Sequence, residues 1–147
     1  MTYRVNYTRS VGMYSAHGDV YKILTENQSA GTSICYVSMP RDITARDILH
    51  VRVAANTSAA VACNLELELS ALASSWSADD ALQTFDITVN TTDNGDYPVL
   101  YAQAAVHADV VSELSSGKGF RLWGRASKSM SGNLLLRGLQ MWVEKRP

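Results

Sequence analysis

Hydrophobic and polar residues alternate with a period of two along much of this chain. In VACNLELELS, Val61, Cys63, Leu65, Leu67 and Leu69 are apolar, while Asn64, Glu66 and Glu68 fall between them. A strand places successive side chains on opposite faces, so the run predicts a half-buried strand with one wet face. FDITVN repeats the device, with Phe85, Ile87 and Val89 on one side and Asp86, Thr88 and Asn90 on the other. DILHVRV sends Leu49, Val51 and Val53 inward, and His50 and Arg52 outward. Weaker candidates are Val20–Thr25, Ser33–Met39, Pro98–His107, Gly119–Ala126 and Leu134–Glu144, which bring the expected strands to eight. The turn signals SAGTS, MPRD, AANTSA, TDNGD, SSGKG and SMSGN separate them. Many short strands with such turns predict an all-β sandwich or barrel.

Three segments break the pattern. SADDALQ has the makings of a short helix, with Ser77 as its N-cap and Asp79 and Asp80 in the first turn. In YPVLYAQAAVHADVVSEL, the residues Val99, Val106, Val110 and Leu114 would share one helical stripe. Tyr, Val and Leu at its start and the preceding TDNGD favour instead a strand through about His107, followed by a turn. The first residues, MTYRVNYTRSVGMYSAHGDVYK, mix Tyr3, Tyr7, Tyr14 and Tyr21 with polar residues and show no sustained alternation. They fit either a first strand with loops or an extended arm lying on another subunit, where Tyr supplies contact area with a polar tip.

The closing stretch, GFRLWGRASKSMSGNLLLRGLQMWVEKRP, resembles a hairpin around a Ser-rich turn. Parity puts Phe120 and Leu122 on one face of its first strand, and Arg121, Trp123 and Arg125 on the other. In the second strand Leu135, Leu139, Met141 and Val143 form the apolar face, opposite Leu134, Leu136, Gln140 and Trp142. Each strand thus sends a tryptophan to what should be the solvent side. The rings would be covered by another part of the chain, lie at a subunit interface, where Trp, Tyr and Arg are enriched, or form a platform for stacking sugars. Gly138 in mid-strand suggests a bulge or a close backbone approach, and a bulge would shift this parity.

Charge and length narrow the classes. At 147 residues the chain fits one domain. Its 13 basic and 14 acidic groups almost cancel, which argues against a general nucleic-acid surface, since that needs a basic excess. No run of about 18 apolar residues predicts a membrane span, and MTYRVNYTRS has no signal-peptide core. Synthesis without export is the plain expectation. Cys35 and Cys63 lie in apolar strand-like runs and are expected as buried thiols.

Candidate chemistry is sparse. His17, His50 and His107 are far apart in sequence and form no His-x-His pair, so no metal set is predicted. There is no Gly-x-Ser-x-Gly elbow. SSGKGF fails the phosphate-loop pattern at Ser112 and at Gly119 and fits a glycine turn better. Asp93–Asp96 (DNGD) is a turn signal rather than a calcium loop. The expectation is a non-enzymatic protein with no cofactor.

One resemblance adds to this reading. The order SICYVSMPRDITARDILHVRV, VACNLELEL, GKGFRLWGRAS and NLLLRGLQMWVE, spanning about Ser33 to Glu144, resembles the β-sandwich modules of tailed-phage virion proteins. The likeness implies a single jelly-roll-like β-sandwich at 20–147 with an extended N-terminal arm at 1–19. It further implies a capsid decoration or cement protein that stabilises the assembled head, made in the host cytoplasm and placed on the capsid exterior. Its partners would be itself, as a homotrimer, and the major capsid protein, with Tyr3, Tyr7, Tyr14, Arg121, Trp123, Arg125 and Trp142 at the subunit or capsid interface. The alternative is a carbohydrate-binding or receptor-binding module of a phage fibre, with a glycan as ligand.

Overall fold

The computed structural model describes residues 7–14, 22–24, 31–57, 63–72, 81–89, 99–117, 119–126 and 134–146. Ten strands and one helix follow in order: β1 (Tyr7–Ser10), β2 (Gly12–Tyr14), β3 (Lys22–Leu24), β4 (Thr32–Ser38), β5 (Ile48–Thr57), β6 (Cys63–Ala71), β7 (Ala81–Val89), β8 (Val99–Ala105), α1 (Ala108–Ser115), β9 (Phe120–Ala126) and β10 (Leu134–Lys145). They form a sandwich of two antiparallel sheets. One runs β10–β5–β8, with β1 and β3 sharing the outer edge of β10, β1 along its C-terminal end and β3 along its N-terminal end. The other runs β2–β4–β9–β6–β7.

The pairing has a nested order. β3 pairs with β10, β4 with β9, β5 with β8 and β6 with β7, all antiparallel. This is the path of one long hairpin wrapped around a barrel axis, which makes the sandwich a jelly roll. The eight nested strands cover the eight expected from the sequence, and β1 and β2 are additions from the N-terminal segment. Val11 joins those two, its amide donating to the Met141 carbonyl at 3.3 Å. The segment thereby steps from the edge of one sheet to the edge of the other, so residues 7–14 are extended and paired within their own chain.

Core placement follows the alternation. Leu65, Leu67 and Leu69 of β6 and Phe85, Ile87 and Val89 of β7 are buried between the sheets, with Leu49, Val51 and Val53 of β5 facing them. Burying each such side chain is worth about 1.5–3 kcal/mol, so these alternating positions are a main driving force for the sandwich. Gly124 of β9 permits close packing: a Cβ there would lie 2.6 Å from Ile34 Cδ1.

Several expectations are corrected. The closing stretch is not a hairpin, because β9 and β10 belong to different sheets. In β10 the register shifts between Leu136 and Gly138, which leaves Arg137 as the extra residue. Leu134 and Leu136 therefore join Met141 and Val143 in the core, and Leu135 leaves that face. Gly138 marks the bulge and not a close approach, since a Cβ there would meet Ala54 Cβ at an ordinary 3.7 Å. β7 begins at Ala81, so the ALQ part of the expected helix is strand; Ser77, Asp79 and Asp80 lie outside the described residues.

At 98–115 both readings hold in sequence. β8 ends at Ala105, and α1 takes the place of the expected turn. The His107 side chain caps the helix by accepting from the Asp109 amide at 3.1 Å. Gly117, with φ of 76°, stops it in the left-handed conformation that glycine adopts without strain.

A buried ion pair ties the C-terminal end to the loop before β5. Asp47 is fully buried and accepts from Lys145 Nζ at 2.6 Å, from the Thr44 amide at 2.8 Å and from the Arg146 amide at 2.9 Å. Burial alone would raise its pKa. The Lys145 hydrogen bond, the two amides and the Lys145 charge outweigh that and hold it below its ordinary 3.8.

Candidate functional site

Strand pairing sets the two outward-facing tryptophans on opposite sides of the molecule. On the β4–β9–β6 side, Trp123 stands beside Arg121 and Arg125, as parity requires, yet it is only 9% exposed. Its Nε1 donates to Ser70 Oγ at 2.8 Å. The Arg121 guanidinium lies over the rings of Tyr36 and Trp123, 5.2 and 5.4 Å from their centroids. Arg125 Nε donates to Glu66 Oε2 at 2.7 Å across the strand pair. The indole and Arg125 are thus hydrogen-bonded within the chain, while Arg121 is held by its ring contacts and its buried Nε has no hydrogen-bond partner among the described residues.

The other sheet carries a different arrangement. Its outer face is built in rungs: Ser10, Trp142, His50 and Gln103 align across β1, β10, β5 and β8, and Gln140, Arg52 and Tyr101 form the next rung. Directly opposed side chains in antiparallel strands stand about 5 Å apart, close enough for aromatic rings to meet. The His50 imidazole stacks on the Trp142 indole, with centroids 5.0 Å apart and planes 4° apart. Tyr101 lies beside both, 5.6 Å from His50 and 6.1 Å from Trp142 between centroids. The Arg52 guanidinium sits 5.2 Å above the Trp142 ring.

Hydrogen bonds hold the cluster in place. His50 Nδ1 bonds to the Tyr101 hydroxyl, Tyr101 donates to Gln103 Oε1 at 2.8 Å, and His50 Nε2 lies 3.2 Å from Glu144 Oε1. His50 is 5% exposed although it faces outward, while Tyr101 is 51% and Val99 62% exposed. The result is a pre-organised aromatic and polar surface whose rim reaches solvent on β8. Sequence reasoning placed His50, Arg52 and Trp142 on an outer face. It missed Tyr101 and Gln103, because β8 has no alternation to give its parity and only its pairing with β5 aligns them.

Of the other interface candidates, Tyr3 lies outside the described residues, as do the side chains of Tyr7 and Tyr14; the backbones of those two sit at the start of β1 and the end of β2. His17 and Asp93–Asp96 are also outside them. Cys35 is buried in the core, as expected of it.

Among the described residues, two clefts stand out, and neither groups reactive side chains. One of about 430 Å³ lies between β7 and the end of β8, beside Leu82, Gln83, Ala105, His107 and Asp109. Its histidine is engaged as the α1 cap. A smaller one of about 170 Å³ lies by Met39, Arg41, Leu114 and Phe120. Among the described residues, no three His, Cys, Asp or Glu side chains are grouped to hold a metal ion.

No protein-family model matches this sequence, and no curated protein matches it significantly.

Proposed function

We propose that this chain is a non-enzymatic structural virion protein, a capsid decoration or cement protein that binds the assembled phage head as an oligomer and stabilises it. The observation that carries the reading is the outer face of the β8–β5–β10 sheet, where Trp142, His50, Arg52 and Tyr101 are fixed before any partner arrives. Fixed aromatic and Arg side chains lose little rotamer freedom on docking, and they are the residue types that dominate interface energies. The wrapped jelly-roll path and the resemblance over Ser33 to Glu144 support the same reading; fold by itself carries no function.

The mechanism is adhesive. Several weak contacts from one oligomer act together through effective concentration. A protein that binds only the closed shell stabilises it by mass action. The expected docking surface is the Trp142 face rather than the Trp123 face, where the indole and Arg125 are already hydrogen-bonded within the chain. Co-sedimentation with empty heads of the same virus tests this: wild type should pellet with heads, and Trp142→Ala should remain in the supernatant while keeping its fold.

A second reading, a glycan-binding fibre module, is favoured by one feature: the half-exposed Tyr101 ring beside Gln103 on an open face. A sugar stacking on Trp142 would have to displace Arg52. A glycan screen separates the two readings, since this one requires sugar affinity that is lost in Tyr101→Ala.

A further inference from the structure

β8 is an outer strand of its sheet, and among the described residues no strand pairs with its far edge. The Val106 amide donates to the Asp47 carbonyl at 2.9 Å, one step beyond the Ile48–Ala105 pair, and so continues the β5–β8 ladder. That bond fixes the phase. In an antiparallel ladder alternate residues face the partner, so Leu100, Ala102 and Ala104 turn their N–H and C=O groups to β5. Val99, Tyr101, Gln103 and Ala105 turn theirs away. Gln83 closes the far end, its Nε2 donating to the Ala105 carbonyl at 2.9 Å and its Oε1 accepting from the His107 amide at 3.0 Å. The open stretch is therefore Val99–Gln103, and Val99 and Tyr101 are among the most exposed large apolar residues described.

Edge strands are normally blunted by charge, proline, a bulge or shortness. The other described edges follow that rule: β1 carries Arg9, β3 carries Lys22, β7 carries Asp86, and β2 is three residues long. β8, VLYAQAA, has no charge and no proline, and it pairs with β5 without a register shift.

We infer that the β8 edge is the contact between two copies of this chain, joined as antiparallel strands about a two-fold axis at Tyr101. A second copy fits because the segment is complementary to itself. The axis sets Tyr101 opposite Tyr101 of the second copy and Val99 opposite Gln103, with no like charges facing. It pairs every free group from Val99 to Gln103, about six hydrogen bonds in all, and leaves the bond from Gln83 intact. Tyr pairs across strands are favourable in their own right. The two outer sheets become one continuous sheet, which brings both Trp142 faces onto one side. Such a contact makes a dimer on its own, and it joins two rings where a separate interface closes a trimer. The inference is independent of the capsid reading.

Cross-linking tests the register. Directly opposed hydrogen-bonded residues have Cα atoms about 5.5 Å apart, within disulfide range. Under mild oxidation Tyr101→Cys should form a covalent dimer, while Gln103→Cys, which faces Val99, and the parent protein should not. The exposed change Val99→Lys should shift the parent's self-association at least tenfold towards the smaller species in sedimentation velocity across a concentration series. A parent that stays monomeric throughout the series overturns the proposal. So does an oligomer that Val99→Lys leaves unchanged, or equal cross-linking through positions 101 and 103. Head binding is read separately, so its failure overturns the capsid reading without touching this one.

Discussion

The Trp142 indole and the His50 imidazole lie parallel, 5.0 Å apart, on neighbouring strands whose Cα atoms are direct partners. Neither residue belongs to the core between the sheets, yet His50 is almost fully covered. The stack therefore fixes a surface rather than a core. Aromatic pairs contribute about 0.5–1.5 kcal/mol beyond burial. A double-mutant cycle of His50→Ala and Trp142→Ala, read by chemical denaturation, should return a coupling in that range. A coupling near zero would mean the two rings are neighbours without mutual support.

Asp47 and Lys145 form the second expectation. Removing one partner of a buried ion pair strands the other, at a cost of about 3–5 kcal/mol. Lys145→Met should therefore destabilise the fold by that order, while Lys145→Met with Asp47→Asn, which removes the stranded charge and keeps an acceptor for the Thr44 or Arg146 amide, should recover part of it. Urea titrations of the two variants check this.

The same carboxylate gives a pH dependence. Its folded pKa is below 3.8, so on acidification the unfolded chain takes up the proton first. The stabilisation is fully present above about pH 4 and is lost as the pH falls through the lowered folded value. Wild type should lose stability more steeply than Asp47→Asn below about pH 4, with parallel curves above it. Thermal melts from pH 2 to 6 would show the difference.

Gly124 is held to glycine by Ile34. The added methyl of Gly124→Ala would sit 2.6 Å from Ile34 Cδ1 and should cost about 1–3 kcal/mol, the usual range for overpacking. Ile34→Val removes the clashing atom, so the double variant should be less destabilised than additivity requires. Denaturant midpoints of the four proteins decide it.

Much of the fold was legible in the chain because alternation reports burial directly. VACNLELELS and FDITVN gave strands β6 and β7 with Leu65, Leu67, Leu69, Phe85, Ile87 and Val89 inward, and DILHVRV gave β5. Four features were hidden for physical reasons. Leu134 and Leu136 changed faces because one extra residue, Arg137, reverses parity upstream of the bulge. Trp123 was expected at the solvent side; parity names the side of a sheet but not whether that side is covered, and here it is. The Asp47–Lys145 pair spans 98 positions and has no local signal. α1 was missed because strand and helix were treated as rivals over 98–115, when each occupies part of it.

The site was less legible than the fold. His50, Arg52 and Trp142 could be placed outward one by one, but their meeting depends on β10 lying beside β5. Tyr101 joins them only because β8 closes that sheet. Sequence spacing carries no information about either neighbour.

The central claim is that a pre-organised outer face docks on an assembled shell. Its most direct test is co-sedimentation of the purified protein with empty heads of the same virus, beside equal amounts of unassembled capsid protein. Saturable binding to heads, none to free subunits, and loss in Trp142→Ala is the result expected. Wild-type protein left in the supernatant at every head concentration would contradict it.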